Sequence, residues 1–104
     1  MRRGEVWWAD LPARSGRRPV LLLSRDAAYA VRSLVTVAPV TTRVRGIPSE
    51  VPLGSADGLP RMCVANLDSI TTVPKDSLAS RLTALRATKV AAVNAAIKYA
   101  LALP

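Results

Sequence analysis

The hydrophobic pattern of this chain changes period once, near residue 85. Before that point, short apolar or β-branched runs alternate with Gly, Pro and polar clusters, which predicts strands and turns. After it, an alanine-rich segment from about Thr88 to Leu103 carries Val90, Val93, Ile97 and Leu101 at spacings of three or four, which predicts one amphipathic helix with Thr88 as its N-cap. The helix is expected to cover the open side of a barrel or to form half of a dimer interface.

Taken in order, Glu5–Leu11 (EVWWADL) predicts a first strand with Val6, Trp8 and Leu11 sharing a face. Trp8 is expected in the core. Trp7, on the other face, reads as structural, with a stacking platform for a base as the alternative. Pro12–Arg17 is a turn by composition, and it runs into Pro19, Val20, Leu21, Leu22 and Leu23, a buried-strand signature with Arg18 held at its mouth. Arg25–Ser33 reads as a connection with one helical turn. Leu34–Val40 predicts a third strand, in which Pro39 argues for an edge position or a bulge. Arg43–Pro48 is a second basic loop. Glu50–Leu53, Met62–Ala65 and Ser69–Val73 predict the remaining strands, with Pro74-Lys75-Asp76 closing the sheet. Five or six short strands and one terminal helix make an α+β, mainly β domain, most simply a small twisted barrel spanning residues 1–104.

Composition narrows the partners. Fifteen Lys plus Arg against seven Asp plus Glu give a net charge of +8, and the only lysines are Lys75, Lys89 and Lys98, so the excess is almost wholly arginine. Arginine's planar fork suits phosphate and stacks on bases, so a polyanion, nucleic acid first, is the expected partner. The other reading of the excess is solubility. Arg14, Arg17 and Arg18 cluster at one end of the first hairpin, and Arg43 and Arg45 lie in the second basic loop. If those loops meet, they form a groove for phosphate. No apolar run is long enough to span a membrane and none follows Met1 as a secretory signal would, so a soluble, cytoplasmic protein is expected. Cys63 is the single cysteine, which excludes an intramolecular disulfide and reads as a small buried hydrophobe.

The absences are equally informative. With no histidine, the commonest general base, the usual metal ligand and the Ser-His and Cys-His nucleophiles are gone. The acids Glu5, Asp10, Asp26, Glu50, Asp57, Asp68 and Asp76 are scattered, unlike the carboxylates of a two-metal nuclease, so no metal and no other cofactor is expected. Arginines, hydroxyls and a carboxylate still suffice for one substrate. RNA carries its own nucleophile, the 2′-hydroxyl, and needs only orientation, proton removal and stabilisation of charge on the phosphoryl oxygens.

The motifs RGEVWWADL, RRPVLLLS, VAPVTT and NLDSIT, in that order from Arg3 onward, closely resemble those of the MazF/PemK toxins, sequence-specific endoribonucleases of toxin–antitoxin pairs. The resemblance implies an SH3-like barrel with a C-terminal helix, a homodimer, and silencing by a cognate antitoxin that presents an acidic segment to the basic groove. It implies Arg18 as catalytic arginine and Thr41 as catalytic threonine, with 2′-hydroxyl attack on single-stranded RNA leaving a 2′,3′-cyclic phosphate and a 5′-hydroxyl. Thr42, Asn66 and Ser69 join Arg14, Arg17, Arg43 and Arg45 as expected RNA contacts. Two departures stand out: the loop PARSG before Arg17 is short and lacks the acid that many relatives carry there, and Asn66 and Asp68 occupy the places of an Arg-x-Asp pattern found in one branch. Asp68 is then the candidate base, with turn capping as its other reading. Two rival functions share the barrel. A gyrase poison of the CcdB type would need a Trp-Gly-Ile ending, whereas this chain ends Ala102-Leu103-Pro104. A non-catalytic RNA-binding barrel would leave the Arg18/Thr41 pairing without a task.

Overall fold

A computed structural model describes residues 1–11 and 16–104 of the chain. Among the described residues seven strands form: β1 (Glu5–Asp10), β2 (Arg17–Leu22), β3 (Leu34–Thr41), β4 (Glu50–Leu53), β5 (Cys63–Asn66), β6 (Thr71–Pro74) and β7 (Leu78–Ala84). A single helical turn, α1 (Ala28–Val31), links β2 to β3, and the chain ends in α2 (Ala87–Ala100). All pairings are antiparallel, in the order β4-β5-β3-β2-β1-β7, with β6 added to β3.

β3 is the organising strand. One edge pairs with β2 through Val20↔Pro39, Leu21↔Ala38 and Leu22↔Val37. Its other edge is divided, with Leu34–Val37 paired to β6 and Val40–Thr41 paired to β5. Pro39 therefore lies in a central strand rather than at a sheet edge, contrary to the expectation from sequence. The reason is the alternation of the ladder. The Leu23 N–H donates to the Thr36 carbonyl, so Thr36, Ala38 and Val40 turn their polar groups toward β2, and the Pro39 nitrogen faces the edge where β6 has ended and β5 has not begun. A missing N–H costs nothing there.

The alternating side chains build two apolar layers. Val6, Leu21, Ala38, Val40, Val51, Leu53, Leu59, Cys63, Ala65 and Leu67 pack with Val93 and Ala96 of α2 on one face of the sheet. Ala9, Val20, Leu22, Tyr29, Val35, Val37, Val73 and Leu78 pack on the other. Burial pushes the Tyr29 phenol up to about 12, and its hydroxyl donates to the Ser24 carbonyl. Arg3 ties three elements together: its Nε donates to the Leu23 carbonyl, its guanidinium to Asn94 Oδ1 of α2, and its backbone N–H to Asp26.

The sheet is not closed by hydrogen bonds into a full barrel. β4 and β7 are its free ends, and the side-chain bond from Thr83 Oγ1 to the Asp57 carbonyl links β7 to the turn after β4. Gly58 in that turn has φ +88°, and a Cβ there would overlap the Thr83 side chain, so the approach requires glycine. Three further expectations are corrected. The sheet does not end at Asp76, because Leu78–Ala84 adds β7 beside β1. Its sequence, LASRLTA, hides the strand, since it lies at an edge with most side chains facing solvent. The N-cap of α2 is Arg86 without a side-chain cap bond, so Thr88 is already inside the helix. Trp8 is half-buried at a cleft wall rather than in the core, while Trp7 packs against the second apolar layer and donates from Nε1 to Glu5.

Glu5 is buried, and its carboxylate accepts from the Arg2 N–H, Trp7 Nε1 and Arg81. Burial alone raises its pKa, but the hydrogen bond from Trp7, with those from Arg2 and Arg81 and the nearby N-terminal charge, holds it below the ordinary value. A depressed carboxylate contributes stability that is full above the unfolded value of 4.5 and is lost as pH falls through the folded value. Urea denaturation of the wild type should thus show stability declining below about pH 4.5. Glu5→Gln should be less stable at pH 7 and show a shallower acid decline.

Candidate active site

Arg18 and Thr41 belong to β2 and β3, and both lie beyond the last paired position, Val20↔Pro39. Counting two residues along each strand from that pair, they fall opposite one another and on the same face as Val20 and Pro39. Pro19 sits opposite Trp8 on β1, and Arg18 opposite Ala9, so the backbone carrying Arg18 is fixed from the β1 side.

At this end of the ladder the surface is indented by a cleft of about 520 Å³. Arg18, Thr41, Ser69 and Thr71 line it, together with Arg17, Thr42 and Arg61. Its floor is apolar, from Val20, Val37, Pro39, Val40, Leu59 and Val73, with Trp8 and Cys63. Residues of both faces of β2 and β3 contribute to it. Burial, with a smaller contribution from the Asp57 charge, pushes the Cys63 thiol pKa up, so it remains a protonated floor residue rather than a nucleophile.

The polar groups differ in what they have left to offer a ligand. Arg17 Nε is 3.2 Å from Asp10 Oδ1, an exposed ion pair that steers the side chain and is worth little energetically. The Arg18 guanidinium has no hydrogen-bond or ion-pair partner among the described residues. Thr41 Oγ1 accepts from the Arg43 N–H at 3.1 Å. That bond uses an oxygen lone pair and leaves the hydroxyl proton to donate. The lining of one cleft thus includes both a guanidinium fork and a hydroxyl with a proton to donate, groups suited to gripping a phosphodiester. Among the described residues no three His, Cys, Asp or Glu side chains cluster as metal ligands.

Of the residues expected from sequence, the structure brings together Arg17, Arg18, Thr41, Thr42 and Ser69. Arg14 lies outside the described residues. Arg43 and Arg45 are exposed but are not part of the cleft wall; their loop is held by Glu50, whose carboxylate accepts from the Arg45 and Gly46 N–H groups. Asn66 and Asp68 are also off the cleft. The Asn66 side chain accepts from the Asp68 N–H and caps the turn at Leu67–Ser69, and the Asp68 carboxylate accepts from buried Ser49 Oγ at 2.6 Å. Sequence reasoning missed Arg61, Thr71 and the placement of Trp8. The available signal for Arg61 was its position after Pro60 in a loop entering a buried strand, the same context that singles out the arginine beside Pro19.

A family model described as the PemK-like, MazF-like toxin of type II toxin–antitoxin systems matches residues 2–101. The chain is a member of the PemK/MazF toxin family. The probable endoribonuclease MazF5 of Mycobacterium tuberculosis is 44% identical over 99 residues, covering 94% of this chain and 90% of that protein. Among solved structures, the Mycobacterium tuberculosis toxin MazF-mt6 superposes with a TM-score of 0.88 at 35% identity, over 96% of this chain and 98% of that one. An endoribonuclease in complex with its cognate antitoxin, from a mycobacterial species, gives a TM-score of 0.89 at 33% identity, over 100% and 97% of the two chains. These likenesses bear out the expected family and the α+β fold with its terminal helix. In this MazF-like chain Asp68 and Arg18 differ in structural role, which denaturation can read. Asp68→Ala strips buried Ser49 of its acceptor and should cost about 1–2 kcal/mol. Arg18→Ala removes no internal partner and should stay within about 0.5 kcal/mol of wild type.

Proposed function

We propose that this chain, as a single domain over residues 1–104, is a metal-independent endoribonuclease toxin that cuts single-stranded RNA at a short sequence. The observation that supports this reading is that an arginine without an ion-pair partner among the described residues and a hydroxyl with a free proton, Arg18 and Thr41, both line one cleft of a PemK/MazF-family fold. The family and the relatives' endoribonuclease names support the reaction class.

In the proposed reaction the 2′-hydroxyl oxygen bonds to the adjacent phosphorus and the bond to the 5′-oxygen breaks. The products are a 2′,3′-cyclic phosphate and a 5′-hydroxyl, with the proton lost at the 2′-oxygen balanced by one gained at the 5′-oxygen. Arg18 neutralises the charge that grows on the non-bridging oxygens, and Thr41 donates its hydroxyl proton to one of them. Asp68, occupied by Ser49 away from the cleft, has no part in this scheme. The partners are single-stranded RNA, a second copy of the chain in a homodimer, and a cognate antitoxin whose acidic segment competes for the same basic cleft. The site of action is the cytoplasm, consistent with the absence, among the described residues, of any helix long and apolar enough to cross a membrane.

Arg18→Ala and Thr41→Val should each lower kcat/KM on a defined RNA by roughly 10²–10³-fold, the usual cost of one transition-state donor, with unchanged circular dichroism. A chelator should leave cleavage intact, and a deoxyribose at the cut position should stop it. Cleavage of the deoxy substrate, or wild-type rates in both variants, would refute the mechanism.

A further inference from the structure

Arg61 shares the cleft with Arg18 but belongs to a different element, the loop that leads into β5. That loop is anchored on either side of the arginine. Leu59 and Cys63 are buried, Pro60 restricts the backbone between Leu59 and Arg61, and Gly58 is locked against Thr83. The guanidinium is exposed and, like that of Arg18, has no hydrogen-bond or ion-pair partner among the described residues. The neighbouring acids are engaged elsewhere. Asp10 holds Arg17, while Asp57 accepts from the Gly54 N–H and lies 3.8 Å from Lys89. Two uncompensated cations are thus held around one largely apolar cleft. A ligand with more than one negative charge complements the two.

We propose that Arg61 is a binding residue for a second phosphate of the RNA, one that flanks the scissile linkage held by Arg18 and Thr41, with the intervening base lying over Trp8 and the apolar floor. This rests on the endoribonuclease reading for the identity of the linkage at Arg18. Arg61 touches the phosphate backbone rather than the reacting atoms, so it contributes affinity regardless of sequence.

Two measurements on the full chain test this. The first is binding of a fluorescein-labelled, mixed-sequence single strand of 2′-fluoro RNA, which offers phosphates but no attacking hydroxyl, as a function of KCl concentration. Arg61→Ala should bind about tenfold more weakly, with a log–log salt dependence shallower by about 0.7, the value for one phosphate contact on a single strand. Arg61→Lys should restore the salt slope. The second is multiple-turnover cleavage of an RNA that the wild type cuts, in which Arg61→Ala should raise KM about tenfold and change kcat less than about threefold, as loss of uniform binding does. Wild-type affinity and salt slope in Arg61→Ala, or a fall in kcat at unchanged KM, would overturn the proposal. If the wild type cuts no RNA while Arg61→Ala still weakens binding with the shallower slope, the nuclease reading fails and the phosphate contact stands.

Discussion

β3 has three strand neighbours, and that shared pairing is the constraint on which the site depends. β2 occupies one edge along its middle, while β6 and β5 divide the other edge at Ala38–Pro39. The β2 ladder itself stops at Val20↔Pro39, because Pro19, which would face Val40 in the next hydrogen-bonded pair, has no N–H to donate. Arg18 and Thr41 lie on the two strands just beyond that point. Their backbones are still fixed, through Arg18↔Ala9 on one side and Thr41↔Val64 on the other. The pair is therefore rigidly mounted yet open to a ligand, the combination that preorganised charge stabilisation requires.

The electrostatics follow the same division between structure and site. The carboxylates with a structural task are held by donors: Glu5 by Arg2, Trp7 and Arg81, Glu50 by the N–H groups of its loop, and one oxygen of Asp68 by Ser49. The arginines of the cleft are left with little or no such compensation. In a chain of net charge +8 this places exposed, largely unneutralised cations around a cleft with an apolar floor. The surplus of arginine seen in the composition is thus given a direction by the fold.

How much of this was legible in the sequence depends on the range of the contacts involved. The buried runs of β2 and β3 and the terminal helix could be read locally, because apolar runs and helical spacing are short-range signals, whereas Thr41 was singled out only through the family resemblance. β7 could not, since LASRLTA at a solvent-facing edge lacks a clean alternation and is fixed by pairing with β1, at the far end of the chain. The central placement of Pro39 depends on the order of β5 and β6 along β3, which no local rule supplies. Asp68 matched a motif position, yet a buried serine nineteen residues away claims its carboxylate. Arg61 carried a local signal beside Pro60, but that it reaches the cleft depends on the route of the chain between β4 and β5.

The central claim is that one guanidinium and one hydroxyl, set at neighbouring strand ends, hold a single phosphodiester. The most direct measurement is a crystal structure with a short RNA carrying one 2′-deoxy nucleotide at the mapped cut position. The account predicts the phosphate following that nucleotide within hydrogen-bonding distance of both the Arg18 guanidinium and Thr41 Oγ1. A bound strand whose uncut linkage lies away from either side chain would contradict it.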